Sequence, residues 1–472
     1  VRRLATAGLC VIAALVVPSG AEAASGCARD RDLVTGTSHG PYYSTLAPFE
    51  HFSSARTQVF PHTCGVRGTI RARRAPGDYR TPYIAATRER DQLYVYGYRP
   101  DTARQGAYVA SLDPRTLRER WRTRILDGTP PNGWSYPGVM AVHGNGYLYA
   151  VYGNVLVKLD PASGATLARR DLPEDPTLTG AAYNGFVVLP DGNIVTKKIE
   201  RGPCPSVPFS EPATGGAFAG LICAAANALP SRIVVVEPRR LRVLSSVTPP
   251  EPVTGRVTYG QGHLYAAGRD SLFRFAYRRG RLTLDRGWGP VAYRTGNQRP
   301  GTGPGLLGDF LVVQTNFLPA AEPLTVTAVS IRDSRRVFHI QPFPNATASW
   351  VVSKPALDAA NRTVVSHDTS AGQMAALRLD PRTGFHVRWR RHLGSLAFSA
   401  LVGDAAHRQI VIPDGSGGGD RVVWLDERTG RLRARSGVLA SEPAPGNIVT
   451  PGFGGRFYYL SGGGRLWELR AR

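Results

Sequence analysis

Four lysines stand against 54 arginines in this 472-residue chain: 58 basic residues, less Lys158, Lys197, Lys198 and Lys354. A desolvated ammonium can give up its proton, whereas a guanidinium effectively cannot. The adjacent pair Lys197-Lys198 is therefore a candidate base or anion clamp, weighed against a plain charge pair at a strand end. His367-Asp368 occupies a comparable strand end. A histidine beside a carboxylate can act as a general base, but neighbours on a strand face opposite ways, so a structural histidine is the plainer reading. Lys197, His367 and Asp368 are the catalytic candidates, and they do not make a complete catalytic set. The run Asp414-Gly-Ser-Gly-Gly-Gly-Asp420 offers two carboxylates and several carbonyls to a calcium ion. It lacks the regular ligand alternation of a calcium loop, and a glycine hairpin explains it more simply. No metal site is assigned, and calcium is the one ion the sequence admits.

A second group of residues is suited to binding rather than chemistry: Trp134, Tyr136, Tyr183, Asn184, Lys198, Arg294, Asn297, Asn316 and Trp350. Aromatic rings beside amides and a guanidinium suit a sugar, a polymer or a planar ligand. Packing between blades is the plainer account of any single aromatic among them. What unites the group is position, in or beside the long connections of a repeated strand pattern.

That pattern is clearest in Gly146-Tyr-Leu-Tyr-Ala-Val-Tyr-Gly-Asn-Val-Leu-Val-Lys-Leu-Asp160-Pro-Ala-Ser-Gly164, which reads as strand, tight turn, strand and closing turn. The closing turn recurs at positions 113, 160, 237, 276, 333, 380 and 426, at intervals of 47, 77, 39, 57, 47 and 46 residues. Two strand candidates precede each marker and an outer one follows most of them. Four short strands every 45 residues or so is the period of a β-propeller blade. A β-helix or paired sandwiches would not explain a recurring Asp-Pro-x-Thr-Gly turn. The expectation is an all-β, eight-bladed propeller, with seven blades as the alternative, built of four-stranded antiparallel blades. The eighth copy ends after its third strand, so an N-terminal strand is expected to close the ring and remove its open edges. Residues 24–78 form that N-terminal segment and residues 79–472 the propeller, with an insertion at 199–231.

Residues 1–23 read as a cleaved secretory signal, from Arg2 and Arg3 through an apolar stretch to Ala21-Glu-Ala23. The mature chain is then expected to be secreted, extracellular or wall-associated, without a membrane span, and monomeric. Four cysteines remain after cleavage, Cys27, Cys64, Cys204 and Cys223. In an exported chain they favour disulfides, and of three pairings the sequence-local Cys27–Cys64 and Cys204–Cys223 are preferred. The second would staple the insertion. The arginine bias, with abundant Ala, Gly and Pro, is that of a GC-rich bacterial genome. A net charge of +23 would attract an anionic partner such as a cell-wall polymer or an acidic glycan, or it is a solvated basic surface. Nucleic acid is not expected.

The run Ala376-Leu-Arg-Leu-Asp-Pro-Arg-Thr-Gly-Phe-His-Val-Arg-Trp389 resembles the repeat of pyrroloquinoline-quinone-type (quinoprotein-like) propellers. The resemblance implies a Trp docking between blades, at Trp389 and, with one residue fewer, at Trp121; Arg435 takes the place in the seventh copy. It speaks to fold over residues 80 to 472. Working quinoprotein dehydrogenases carry adjacent cysteines over the cofactor, and no Cys-Cys pair exists here, so the quinone is not expected. The reading that follows is a propeller binding a small molecule, glycan or polymer on its loop-rich face. The alternative is a secreted lyase, hydrolase or quinoprotein-like oxidoreductase with its site at the central mouth.

Overall fold

The computed structural model describes residues 28–77, 79, 82–99, 106–127, 138–173, 181–200, 227–395, 397–441 and 448–471. Apart from one short helix, Ala28–Asp32, and a 3-10 turn, the described elements are strands. Sheet 1 runs Pro82–Thr87, Leu93–Arg99, Gly106–Leu112 and Glu119–Asp127; sheet 2 runs Val139–Val142, Leu148–Tyr152, Val155–Leu159 and Thr166–Asp171. Sheet 3 holds Ala181–Val188, Ile194–Glu200, Ile233–Glu237 and Arg242–Val247. Sheet 4 holds Thr258–Gly260, His263–Ala267, Ser271–Arg278 and Arg281–Leu284, with Val291–Ala292 added. Gly305–Leu307, Phe310–Gln314, Val326–Ser330 and Val337–Ile340 make sheet 5, and Ala356–Asp358, Thr363–Asp368, Gln373–Asp380 and Gly384–His392 make sheet 6. Within each, consecutive strands pair antiparallel, the four-stranded up-and-down unit of a β-propeller.

The remaining strands form one sheet of eight, in the order Ala400–Val402, Gln409–Asp414, Arg421–Asp426, Leu432–Arg435, Gly68–Arg74, Arg465–Ala471, Arg456–Ser461 and Thr450–Gly452. Gly68–Arg74 pairs antiparallel with Arg465–Ala471 from Ile70↔Ala471 to Arg74↔Trp467. Its first residues touch Leu432–Arg435 in parallel.

Burial explains why the middle strands read as continuous apolar runs. Every residue of Leu148–Tyr152 is buried, because sheets pack on both of its faces, while Thr166–Asp171 is almost wholly exposed. The turn markers have a local cause. The carboxylates of Asp113, Asp160, Asp380 and Asp426 accept backbone N–H groups two or three residues on, closing the turn in the manner of an Asx-turn. These donors, together with Arg120, hold Asp113 down at about 2 against the opposing effect of burial. The turn glycines are docking sites for the next sheet. A Cβ on Gly164 would meet the Trp121 ring at 2.5 Å, and one on Gly430 the Trp389 ring at 2.8 Å. Phe338 lies in the same relation to Gly384, and Leu244 to Gly280.

The segment from Tyr42 to Val66 belongs to no sheet, yet it is the hub of the molecule. Its carbonyls accept N–H groups from the first strands of successive sheets: Thr87 to Ala47 (2.9 Å), Val142 to Pro48 (2.8 Å), Tyr259 to Ser54 (2.8 Å) and Leu306 to Ala55 (3.0 Å). Leu357 to Thr57 (2.9 Å) and Leu401 to Gln58 (2.8 Å) continue the series. Ser54 Oγ donates to Val188 O of sheet 3 at 2.6 Å. Phe52, Arg56 and Gln58 take positive φ of 69°, 55° and 66° to make so tight a path. The segment thus crosses the axis near the ends of the first strands, on the side of the short first-to-second-strand turns.

Candidate functional site

Around this segment lies a cluster of buried polar side chains, assembled from the axial segment and the inner strands. Glu50 is its only described carboxylate. It pairs with Arg56 (Nη1 to Oε1, 3.0 Å) and with Arg256 Nη1 through the other oxygen. Burial alone would raise the Glu50 carboxyl, but Arg256 and Arg56 bring it below its ordinary range. Arg256 is fixed on every side: Nε donates to Asn184 O at 2.7 Å and Nη2 to Gly138 O at 3.2 Å. A Cβ at Gly185 would lie 2.8 Å from Arg256 Nε, so this glycine, at φ +124°, is needed for the guanidinium to fit.

Two lysines join the arginines. Lys197 Nζ donates to Val253 O (2.6 Å) and Thr254 O (3.0 Å), and Asn184 Nδ2 reaches the same Thr254 carbonyl. Lys354 Nζ donates to Gln58 Oε1 (2.7 Å) and Pro355 O (2.8 Å). Burial pushes both amines well below their ordinary value, helped by Arg256 beside Lys197 and by Arg56 beside Lys354. His51 stands among these basic side chains, 1% exposed, and neither ring nitrogen has a hydrogen-bond partner among the described residues. Its Nε2 is 3.4 Å from Glu50 Oε1. Desolvation first, then Arg56, Lys354 and Arg256, hold the ring neutral, so the contact is not an ion pair. On the wall formed by sheets 5 and 6, Gln314 Nε2 donates to Ser353 O (2.7 Å), and Ser353 Oγ meets His367 Nε2 at 3.3 Å.

Of the sequence candidates, the structure brings Lys197 and Asn184 together at Arg256 and places His367 against Ser353. His367 and Asp368 are not a dyad. The His367 ring contacts Ser353 and burial depresses it to about 4, while Asp368 accepts from Ser349 Oγ (2.5 Å) and the Trp350 and Ala371 amides. Lys198 is buried on the opposite side of its strand from Lys197. Tyr183 is core, its hydroxyl donating to Pro173 O at 2.7 Å. Arg294 pairs with Asp270 and Gln298 O, and Asn297 and Asn316 both hold Glu322, by side chain and backbone respectively. Trp350 Nε1 donates to Phe317 O at 3.0 Å. These four sit in the connections, away from Glu50. Trp134, Tyr136, Cys27, Cys204, Cys223 and most of the 199–231 insertion lie outside the described residues. Cys64 is disulfide-bonded.

Sequence reasoning missed Glu50, His51, Arg56, Gln58 and Arg256. The first four lie in a segment without periodicity. Lys354 carried the same signal as Lys197, rarity, without a second lysine beside it. The run Gly36-Thr-Ser-His-Gly40 fits a Gly-x-Ser-x-Gly spacing, but Ser38 Oγ donates to Tyr42 O (2.6 Å) and no strand-to-helix elbow surrounds it.

No protein-family model matches the sequence, and no curated protein is similar to it. Solved structures are similar in fold. A quinohemoprotein alcohol dehydrogenase from Comamonas testosteroni aligns with TM-score 0.56 at 11% identity, over 90% of this chain and 81% of that one. A europium-containing methanol dehydrogenase aligns with TM-score 0.56 at 10% identity, over 89% of each chain. The computationally designed Ika8 protein aligns with TM-score 0.50 at 12% identity, over 84% of this chain and 98% of that one. At such identities the likeness establishes the fold alone: an all-β, quinoprotein-like propeller.

The buried cluster around Glu50 does not fit a quinone held by calcium. Its carboxylate is committed to two guanidinium groups, and no group of three or more His, Cys, Asp or Glu among the described residues could hold a metal. The hairpin carboxylates are partly engaged. Asp414 Oδ1 accepts the Gly394 and Ser416 amides, and Asp420 Oδ2 accepts the Tyr459 hydroxyl, while the buried Asp420 Oδ1 has no hydrogen-bond partner among the described residues.

Proposed function

We propose that this chain is an exported, eight-bladed propeller that binds a small organic anion in its central chamber. In this reading the double sheet is two blades, and Gly68–Arg74 supplies the outer strand of the last blade and closes the ring. Export, with a Cys27–Cys64 disulfide bracing the N-terminal segment, follows the signal-like start and the bonded state of Cys64. Because the axial segment seals one side, the ligand enters from the side of the long second-to-third-strand and blade-to-blade connections.

The observation that carries the proposal is the imidazole of His51, which lies beside the Glu50 carboxylate that Arg56 and Arg256 share and has no hydrogen-bond partner at either nitrogen among the described residues. Buried polar groups are otherwise paired. A carboxylate or phosphate ligand would accept the imidazole N–H in surroundings rich in basic side chains.

The test is thermal unfolding of the full exported chain with acetate, oxalate, citrate or phosphate against chloride at equal ionic strength. A bound anion raises the melting temperature saturably, following the logarithm of ligand concentration over Kd, and His51→Phe removes the rise. Equal shifts for every salt, or shifts unchanged in His51→Phe, would refute binding in the chamber.

A further inference from the structure

We propose that the exposed face around strand Gly68–Arg74 is a docking surface for a linear phosphate polymer without bases, gripped by arginines that neighbouring strands set side by side. The inference is independent of the buried cluster at Glu50 and concerns a different part of the molecule.

Strand register builds the surface. Arg71 stands opposite Arg470, and Arg470 stands opposite Arg456 on the next strand. Three guanidinium groups therefore form a row across three strands that lie ~4.8 Å apart. Arg73 lies two residues on from Arg71, and Arg435 of the strand on the other side is opposite Thr69. Residues directly opposed on paired strands share a face. Glu468 bears this out, since it pairs with both Arg73 and Arg456.

The charge on this face is not balanced. Stretches 65–77, 428–441 and 453–471 hold four, four and three arginines against a single acidic residue, Glu468. Asp426, just outside them, takes Arg433. Arg71, Arg435 and Arg470 are exposed, and their side chains have no ion pair or hydrogen bond among the described residues. Arginines on other sheets are partnered: Arg120 with Asp113, Arg122 with Glu119, Arg274 with Asp285. Like charges opposed on adjacent strands cost stability. A bound polyanion would turn that repulsion into attraction.

The chemistry of the face selects the polymer. Guanidinium groups take phosphate through two parallel hydrogen bonds. Alternate residues on a strand are ~6.7 Å apart and neighbouring strands ~4.8 Å, so closely strung phosphates can meet one arginine after another. Bases would find nothing to stack on. Phe457, Tyr458 and Tyr459 are buried, and Trp467 is half-buried with its indole N–H on Ser461 Oγ at 3.0 Å. Leu432 and Val438 are the large apolar side chains exposed in these stretches among the described residues, too few to sink into a membrane.

The probe is poly(glycerol phosphate), titrated against the full chain over a series of salt concentrations. Polygalacturonate, oligo-dT and phosphatidylglycerol vesicles are the comparators. Each phosphate contact contributes about 0.7 to the fall of log affinity with log salt. Arg71→Gln combined with Arg470→Gln should lower that slope by about 1.4 and weaken binding about tenfold or more at ~0.1 M salt. Thermal unfolding of this variant should be unchanged or raised, because the two arginines repel. Arg281→Gln combined with Arg286→Gln removes the same charge from exposed positions at sheet 4, and should change slope and affinity far less. Equal losses from the two double variants would mean diffuse charge and overturn the proposal. So would absence of binding to the polymer, or binding as tight to polygalacturonate, oligo-dT or the vesicles, each of which would point to a different partner.

Discussion

Lys197 and Lys354 are buried amines, and their burial makes a prediction about pH. Because the fold depresses both below the ordinary value of 10.5, the unfolded chain binds more protons than the folded one between the depressed value and 10.5. Stability from these groups therefore rises with pH in that window, by up to about 1.4 kcal/mol per pH unit for each lysine. Chemical denaturation at about pH 8 and about pH 9.5 should show this slope, and Lys197→Met should remove its share; an unchanged slope in the variant would mean a charged lysine. At the acid end the sign is the same for other groups. His367, depressed from 6.5 to about 4, and Glu50, held below 4.5, favour the folded chain above those ordinary values and cease to do so as pH falls through the folded ones. Removing Glu50 should be more damaging than any pH change, since Glu50→Gln takes away the carboxylate that Arg56 and Arg256 share, at about 3–5 kcal/mol by denaturant midpoint. At this scale Lys197 was legible because lysine is rare here. Glu50 and His51 were not, because nothing local marks residues whose partners include Arg256, Lys354 and Phe398, far along the chain.

Among the elements, the turns were the most legible feature, and the reason is local: an aspartate that bonds its own turn needs no tertiary context. The Trp-on-glycine docking at Trp389 and Gly430 came from the repeat as well. It yields a clear prediction. Gly430→Ala puts a methyl group 2.8 Å from the Trp389 ring at a φ of +68°, and should cost about 1–3 kcal/mol of stability, read by thermal unfolding. A similar substitution at Gly455, which has open space around its Cβ but φ +68°, should cost less and separate the docking contribution from the backbone one. The segment from Tyr42 to Val66 was not legible, since its hydrogen bonds go to sheets far along the chain and leave no period in the sequence.

For the whole molecule, the period of 45 residues revealed a ring, but the ring's centre had to be seen. The axial segment touches the first strand of one sheet after another and at the same time delivers Glu50, His51, Arg56 and Gln58 to the chamber. Scaffold and site are therefore one element. Deleting residues 42–66 should leave the inner strand ends unpaired and give an aggregating chain by size-exclusion chromatography, whereas a well-behaved monomer would show that the sheets close without their hub. The most direct measurement of the central claim is a crystal structure of the protein purified from its own host, inspected between His51, Arg56, Arg256 and Lys354. The expected result is density for an anion within hydrogen-bonding distance of His51; side chains or water alone filling that space would contradict an anion-binding chamber.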